Sequence, residues 1–162
     1  MRAGTHIIAG VMVAYALGGS AELTPIQIGA LGALGGLVAL LPDIDHPNSA
    51  IRAKTGLLGT LAAFWMTHRG ITHTLPAVLV VWALAALLSS PLVALVCAAA
   101  YASHLVLDAC TPSGVMLLWP LSNRRLHLLP RALWIRTGSF RERGVALALG
   151  AVLVWSAWPA QF

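Results

Sequence analysis

Five of the six histidines and all three aspartates of this 162-residue chain fall in four short motifs. They are "GTH" with His6, "LPDIDHP" with Asp43, Asp45 and His46, "HRGITH" with His68, Arg69 and His73, and "SHLVLD" with His104 and Asp108. Neutral imidazole and carboxylate are ligands for zinc, manganese or iron, and side chains on different helices can close around an ion inside a bundle. His104 and Asp108 are four apart, so on a helix both project from one face. His68 and His73 are five apart, which separates them on an unbroken helix, and Gly70 offers the break. In a loop after Pro42 the alternating Asp43 and Asp45 can both reach inward. The chemistry these types support is metal-assisted hydrolysis, in which one or two divalent ions acidify a water and polarise an electrophile. The expected metal ligands are His6, Asp45, His68, His104 and Asp108, with zinc favoured over manganese or iron. Asp45 and His46 read as the better ligands of their motif, with Asp43 as ligand or general base. His46 and His73 would complete a second metal or serve as acid, base or orienting partner. Arg69 is placed to pair with a phosphate, or to anchor at lipid headgroups.

Each motif alone has a plainer reading. His6 could be a buried histidine satisfied by a carbonyl, "DIDHPNS" a capped turn, and His127, among arginines, a solvated or lipid-facing basic residue. Convergence outweighs these readings, because ionisable groups at membrane depth are costly and usually functional.

The elements that must carry the motifs are apolar. Hydrophobic residues make up 59% of the chain, charged residues only 9%, and the mean hydropathy is +0.83; soluble domains carry roughly a quarter charged residues. This composition excludes an ordinary soluble domain and predicts an all-α, polytopic membrane helix bundle in a single domain covering 1–162. Five spans are expected, near Ile7–Leu17, Pro25–Leu41, Leu75–Leu88, Leu92–Asp108 and Val145–Trp158, with interfacial helices besides, one of them in "TGLLGTLAAFWMTH". Gly29, Gly32 and Gly36 are expected to allow close helix packing, Gly32 and Gly36 as a GxxxG pair. With two cysteines, Cys97 and Cys110, no disulfide framework is indicated.

Alternating these spans puts all ten Lys and Arg residues on the side that holds the N-terminus, with Glu22 on the other. That split assigns the basic side, and with it every motif above, to the cytoplasm. Arg2, the apolar run and the small residues near "GGSA" also resemble a secretory signal peptide. The segment is expected to be retained, which keeps His6.

"GTH", "LPDIDHPNS", "HRGITHTL" and "SHLVLDACTPSGVMLLWP", in this order as far as Pro120, resemble the bacterial YdjM-like family. Those proteins are inner-membrane proteins described as metal-dependent hydrolases and associated with the LexA-controlled DNA-damage response. The order His, Asp, His and then His-x-x-x-Asp is also similar, more faintly, to zinc-dependent phospholipase C. The expected function is therefore a hydrolase of the bacterial inner membrane with its active site facing the cytoplasm. Its expected substrate is a phosphoester of a lipid or of another phosphorylated molecule near the membrane, cleaved as by a phosphatase or a phospholipase C. Arg124, Arg125, Arg131, Arg136, Arg141 and Arg143 would favour such an anionic substrate; the plainer reading is that they only enforce topology and bind anionic lipid. Membrane lipids are expected partners, an oligomer is allowed, and nucleic acid is disfavoured because "LLP" and "ALWI" interrupt the arginines as in an amphipathic interfacial segment. Two rival classes are a non-catalytic, metal-stabilised membrane regulator and an ion or metal transporter. A transporter would place its polar groups near the midplane, often on paired broken helices.

Overall fold

A computed structural model describes residues 1–45 and 71–157. Its described elements are helices α1 (Ala3–Gly18), α2 (Pro25–Val38), α3 (Leu75–Leu88), α4 (Pro91–Ala109) and α5 (Phe140–Ala157). Short 3₁₀ turns occupy Leu41–Asp45, Ile71–His73 and Arg131–Leu133. The described residues form no strand beyond an isolated antiparallel bridge between Val115 and Leu126.

Three helices start where a hydroxyl and a proline coincide. Thr24, Thr74 and Ser90 each accept a backbone N–H from the first turn, and Pro25, Pro76 and Pro91 sit where their missing N–H would have had no helical partner. At Thr24 the cap is reciprocal, with Gln27 Oε1 accepting the Thr24 N–H at 2.8 Å. The observed helices run close to the expected spans but begin earlier at α1 and α5 and end earlier at α2, where the chain tightens into the 3₁₀ turn.

Helix α4 lies at the centre, packed on α1, α2 and α3, while α1 also meets α2 and α5. Its small residues let neighbours approach, and Ala94, Cys97, Tyr101, His104 and Asp108 form one buried stripe at helical spacing. The closest crossing is between α1 and α2. A Cβ on Gly10 would lie 2.3 Å from the Gly35 carbonyl oxygen, and one on Gly35 would lie 2.5 Å from that of Gly10. The expected GxxxG pair therefore has a different part: Gly32 and Gly36 accommodate side chains of α1, Gly29 borders open space, and the backbones meet at Gly35.

The outside of the bundle is apolar. Helix α3 buries only Val78 and exposes Leu79, Val80, Trp82, Leu84, Leu87 and Leu88. Leu147, Val152, Val154 and Trp155 are likewise exposed on α5. Apolar residues outside with buried histidines and an aspartate inside invert the soluble pattern, and the protein is a membrane protein. Two described stretches, Pro25–Asp43 and Pro91–Ala109, have 19 residues each and are long and apolar enough to cross a bilayer. At 1.5 Å per residue they reach close to the ~30 Å hydrocarbon thickness, whereas α1 and α3 are shorter.

Between α4 and α5 the chain forms no amphipathic interfacial helix; its helical content there is the one turn at Arg131–Leu133. Backbone hydrogen bonds tie it down instead: Leu128 N–H donates to the Ala109 carbonyl and Ile135 N–H to that of Cys110, each at 3.0 Å. The apolar stretch "TGLLGTLAAFWMTH", expected to be an interfacial helix, lies outside the described residues.

Candidate metal centre

The alternating helices bring four elements to one end of the bundle. His6 comes from the second turn of α1, Asp43 from the 3₁₀ turn after α2, His73 from the turn before α3, and His104 and Asp108 from the last turns of α4. His6, His73 and His104 are fully buried, Asp108 nearly so, and Asp43 is the one of the five with appreciable side-chain exposure, 28%.

Their ligand-type atoms converge. His73 Nε2 lies 3.8 Å from both Asp43 Oδ1 and Asp108 Oδ2, and His104 Nε2 lies 3.7 Å and 3.8 Å from the same two oxygens. His6 Nε2 is 3.5 Å from Asp108 Oδ1, which also accepts the Met1 amine at 2.7 Å. Two groups result, His6 with Asp43 and His104, and His73 with His104 and Asp108, each with its ligand atoms within 4.8 Å of one another. His104 belongs to both.

The backbone sets the histidine most central to this arrangement. The Ala39 carbonyl lies 2.8 Å from His104 Nδ1. A carbonyl only accepts, so Nδ1 carries the proton and Nε2 presents its lone pair to the cluster. At His73, Thr72 Oγ1 is 3.0 Å from Nδ1, and Tyr101 holds the same turn by donating to the Thr72 carbonyl at 2.6 Å. The His6 ring stacks on His104 with centroids 3.7 Å apart.

The donor set fits a divalent ion. Among the described residues, neither ring nitrogen of His6 nor Nε2 of His104 has a hydrogen-bond partner, although all three atoms are buried, a costly arrangement unless an ion takes up the free lone pair of each ring. Ligand separations of 3.7–3.8 Å are slightly wider than the ~3.3–3.6 Å edge of a tetrahedron built on zinc bonds of ~2.0–2.2 Å. A small inward movement of side chains closes that difference.

Of the residues singled out from sequence, the structure brings His6, Asp43, His73, His104 and Asp108 together. The carboxylate of Asp43, expected as ligand or general base, joins the cluster from a 3₁₀ turn rather than an open loop. The Asp45 side chain, and His46, His68 and Arg69, lie outside the described residues. His127 is half-buried and stacks on Trp134 with ring centroids 4.7 Å apart.

One residue was missed. Glu142 is buried and accepts hydrogen bonds from the Arg2 and Gly138 backbone N–H groups and from Thr5 Oγ1, joining the start of α5 to the start of α1 just ahead of His6. Burial pushes its carboxyl up, but the two N–H donors and the charges of the Met1 amine and Arg2 outweigh burial and hold it below the ordinary value. The available signal was its being a lone acid in "FRERG".

The profile of the YdjM inner membrane protein family matches residues 1–160. The chain belongs to that family. Among its relatives in the YdjM family, the inner membrane protein YdjM of Escherichia coli (strain K12) is 35% identical over 134 residues, which is 75% of this chain and 62% of that protein. The Shigella flexneri protein of the same name matches with the same figures. YvsG of Bacillus subtilis (strain 168) is 34% identical over 146 residues, 90% of this chain and 87% of YvsG. The chain thus spans less than two thirds of the length of the two YdjM proteins. No solved structure matches it. The five clustered side chains of this YdjM-family protein all fall within the matched residues.

Proposed function

We propose that this protein is a metal-dependent hydrolase of the bacterial inner membrane, acting at the cytoplasmic face on a phosphoester. The observation that carries the reading is the convergence of His6, Asp43, His73, His104 and Asp108 at one end of an apolar bundle, with imidazole nitrogens buried and turned to shared carboxylates. His6, His73, His104 and Asp108 would hold zinc, with Asp43 as a further ligand or as general base. A bound divalent ion supplies Lewis-acid polarisation and acidifies water at neutral pH. Asp43, partly open to the outside, stands where a carboxylate can take a proton from an entering water.

Five spans, with the basic loops retained in the cytoplasm, put this end at the cytoplasmic headgroup layer. Phosphorylated lipid is the substrate class that this position and the arginine-rich 122–143 segment favour. The same geometry supports a regulator stabilised by metal if Asp43 completes a closed site, since structural zinc sites keep no open position.

The deciding experiment is to purify the protein in detergent, measure its metal content and screen phosphorylated lipids for metal-dependent release of phosphate or headgroup. Bound metal with turnover supports the hydrolase, and metal without turnover supports the regulator. Neither metal nor turnover across zinc, manganese and iron refutes both. Orientation has its own test: a cysteine placed at Ser122 should react with a membrane-impermeant maleimide only after the cytoplasmic side is opened.

A further inference from the structure

A cavity of about 710 Å³ opens beside the start of α5 and is lined by Pro112, Arg131, Trp134, Arg136, Ser139 and Arg141 among others. We propose that this cavity binds the phosphate of an anionic phospholipid headgroup.

Its charge is unbalanced. Three arginines border one space, no carboxylate among the described residues lines it, and none of the three is ion-paired with a described carboxylate. The nearest acid in sequence, Glu142, is buried and occupied by the backbone of Arg2 and Gly138. Like charges around a common cavity repel, and an anion between them removes that cost. The arginines are also partly ordered in advance. Arg141 Nη1 donates to the carbonyls of Ala132 and Trp134, at 2.9 Å and 3.5 Å, and Arg131 lies over the Trp134 ring at 5.9 Å. A planar guanidinium oriented in this way matches the oxygens of a phosphate.

The surroundings indicate a lipid as the source. Trp134 is half-buried with its indole N–H bonded to the Leu129 carbonyl, and Phe140 on the rim is 85% exposed, the kind of aromatic anchoring found at headgroup level. The cavity is also joined to the metal-bearing elements. Pro112 follows Asp108 by one turn of chain held by the Thr111 hydroxyl on the Asp108 carbonyl, and Ile135 is bonded to Cys110. A headgroup held here lies at the same end of the bundle as the metal cluster. Binding itself does not require the hydrolase reading, although it would specify that enzyme's substrate class.

The test is calorimetric titration of the detergent-solubilised full chain with dihexanoyl phosphatidic acid, dihexanoyl phosphatidylcholine and inorganic phosphate, each with and without EDTA. Phosphatidic acid should bind in both conditions, and phosphatidylcholine should not bind comparably. R131Q and R136Q should each weaken phosphatidic acid by about tenfold or more, one lost charge-assisted contact, while R124Q, outside the lining, should change it less than about twofold. Equal weakening in R124Q, equal binding of phosphatidylcholine, or loss of binding in EDTA would each overturn the proposal, the last by assigning the phosphate to the metal instead. Competition by inorganic phosphate at concentrations matching the lipid would overturn the lipid source and make the ligand free phosphate. Because binding is read with metal removed, an inactive enzyme and an empty arginine cavity give different results.

Discussion

Replacing His104 by alanine tests the metal reading most directly. The substitution removes the one imidazole common to both ligand groups, the stacking partner of His6 and the donor to the Ala39 carbonyl. Loss of a residue that only orients a ligand typically costs ~10–100-fold in metal affinity, so loss of a shared ligand should exceed ~100-fold, or about 2.7 kcal/mol. The consequence for stability follows from linkage. An ion present at ~1,000 times its Kd stabilises the fold by about 4 kcal/mol, and after a 100-fold loss of affinity the same ion supplies about 1.4 kcal/mol. At ~2–4 °C per kcal/mol for a chain of this size, EDTA should lower the wild-type Tm by ~8–16 °C and the His104→Ala Tm by at most ~6 °C. The comparison is between melts with and without chelator for each protein, so the cavity and the unpaired Ala39 carbonyl left by the substitution cancel. His104→Gln, which fills more of the space, should behave like the alanine variant in metal content. The assays are metal analysis of the purified proteins and thermal unfolding in detergent. Retention of metal at wild-type affinity by both variants would refute the site, as would a wild-type Tm indifferent to every divalent ion tested and to EDTA.

Thr72→Val removes the hydroxyl beside His73 Nδ1 and should weaken metal by ~10–100-fold without abolishing binding; competition with a chromogenic chelator measures it, and an unchanged affinity argues against His73 as ligand. Gly10→Val should disrupt the α1–α2 crossing, since its Cβ would stand 2.3 Å from the Gly35 oxygen, lowering Tm and metal content together, whereas Gly29→Ala, facing open space, should be neutral or stabilising by up to ~1 kcal/mol. Glu142 is held below its ordinary 4.5 in the folded chain, so its stabilisation is fully present above that pH and is lost as pH falls through the depressed value. The Tm difference between wild type and Glu142→Gln should therefore shrink on acidification below pH 4.5; a difference constant from neutral pH to strongly acid pH would contradict this account.

Which features were legible in the sequence follows from what determines them. The starts of α2, α3 and α4 are local matters of a capping hydroxyl and a proline, and "LTP", "THTLP" and "SSP" announce them before any tertiary contact is known. Clustering of His6, Asp43, His73, His104 and Asp108 was readable for a topological reason: successive helices that run back and forth return every second connection to the same end, which brings the motifs there together. The Gly10–Gly35 contact was not readable, because which glycine faces the neighbour depends on helix rotation, and α2 offers Gly29, Gly32, Gly35 and Gly36 at every phase. The roles of Asp43 and Asp45 were not fixed by the sequence for a similar reason, as Pro42 and two nearby acids suit an open loop as well as the 3₁₀ turn that forms.

The groups that make the cluster usable as a metal site are less visible still. The tautomer of His104, and with it the lone pair it could offer a metal, is set by the carbonyl of Ala39, a residue whose side chain says nothing about it. His6 is held in register by Glu142, 136 positions away, through the backbone of Arg2 and the hydroxyl of Thr5. Residue type thus announces the candidate ligands, whereas their orientation depends on main-chain donors and acceptors that every residue carries. A variant that keeps all five ligands can therefore still lose the metal. Substitutions at Ala39 that displace its carbonyl, or at Glu142, should do so while leaving the motifs intact.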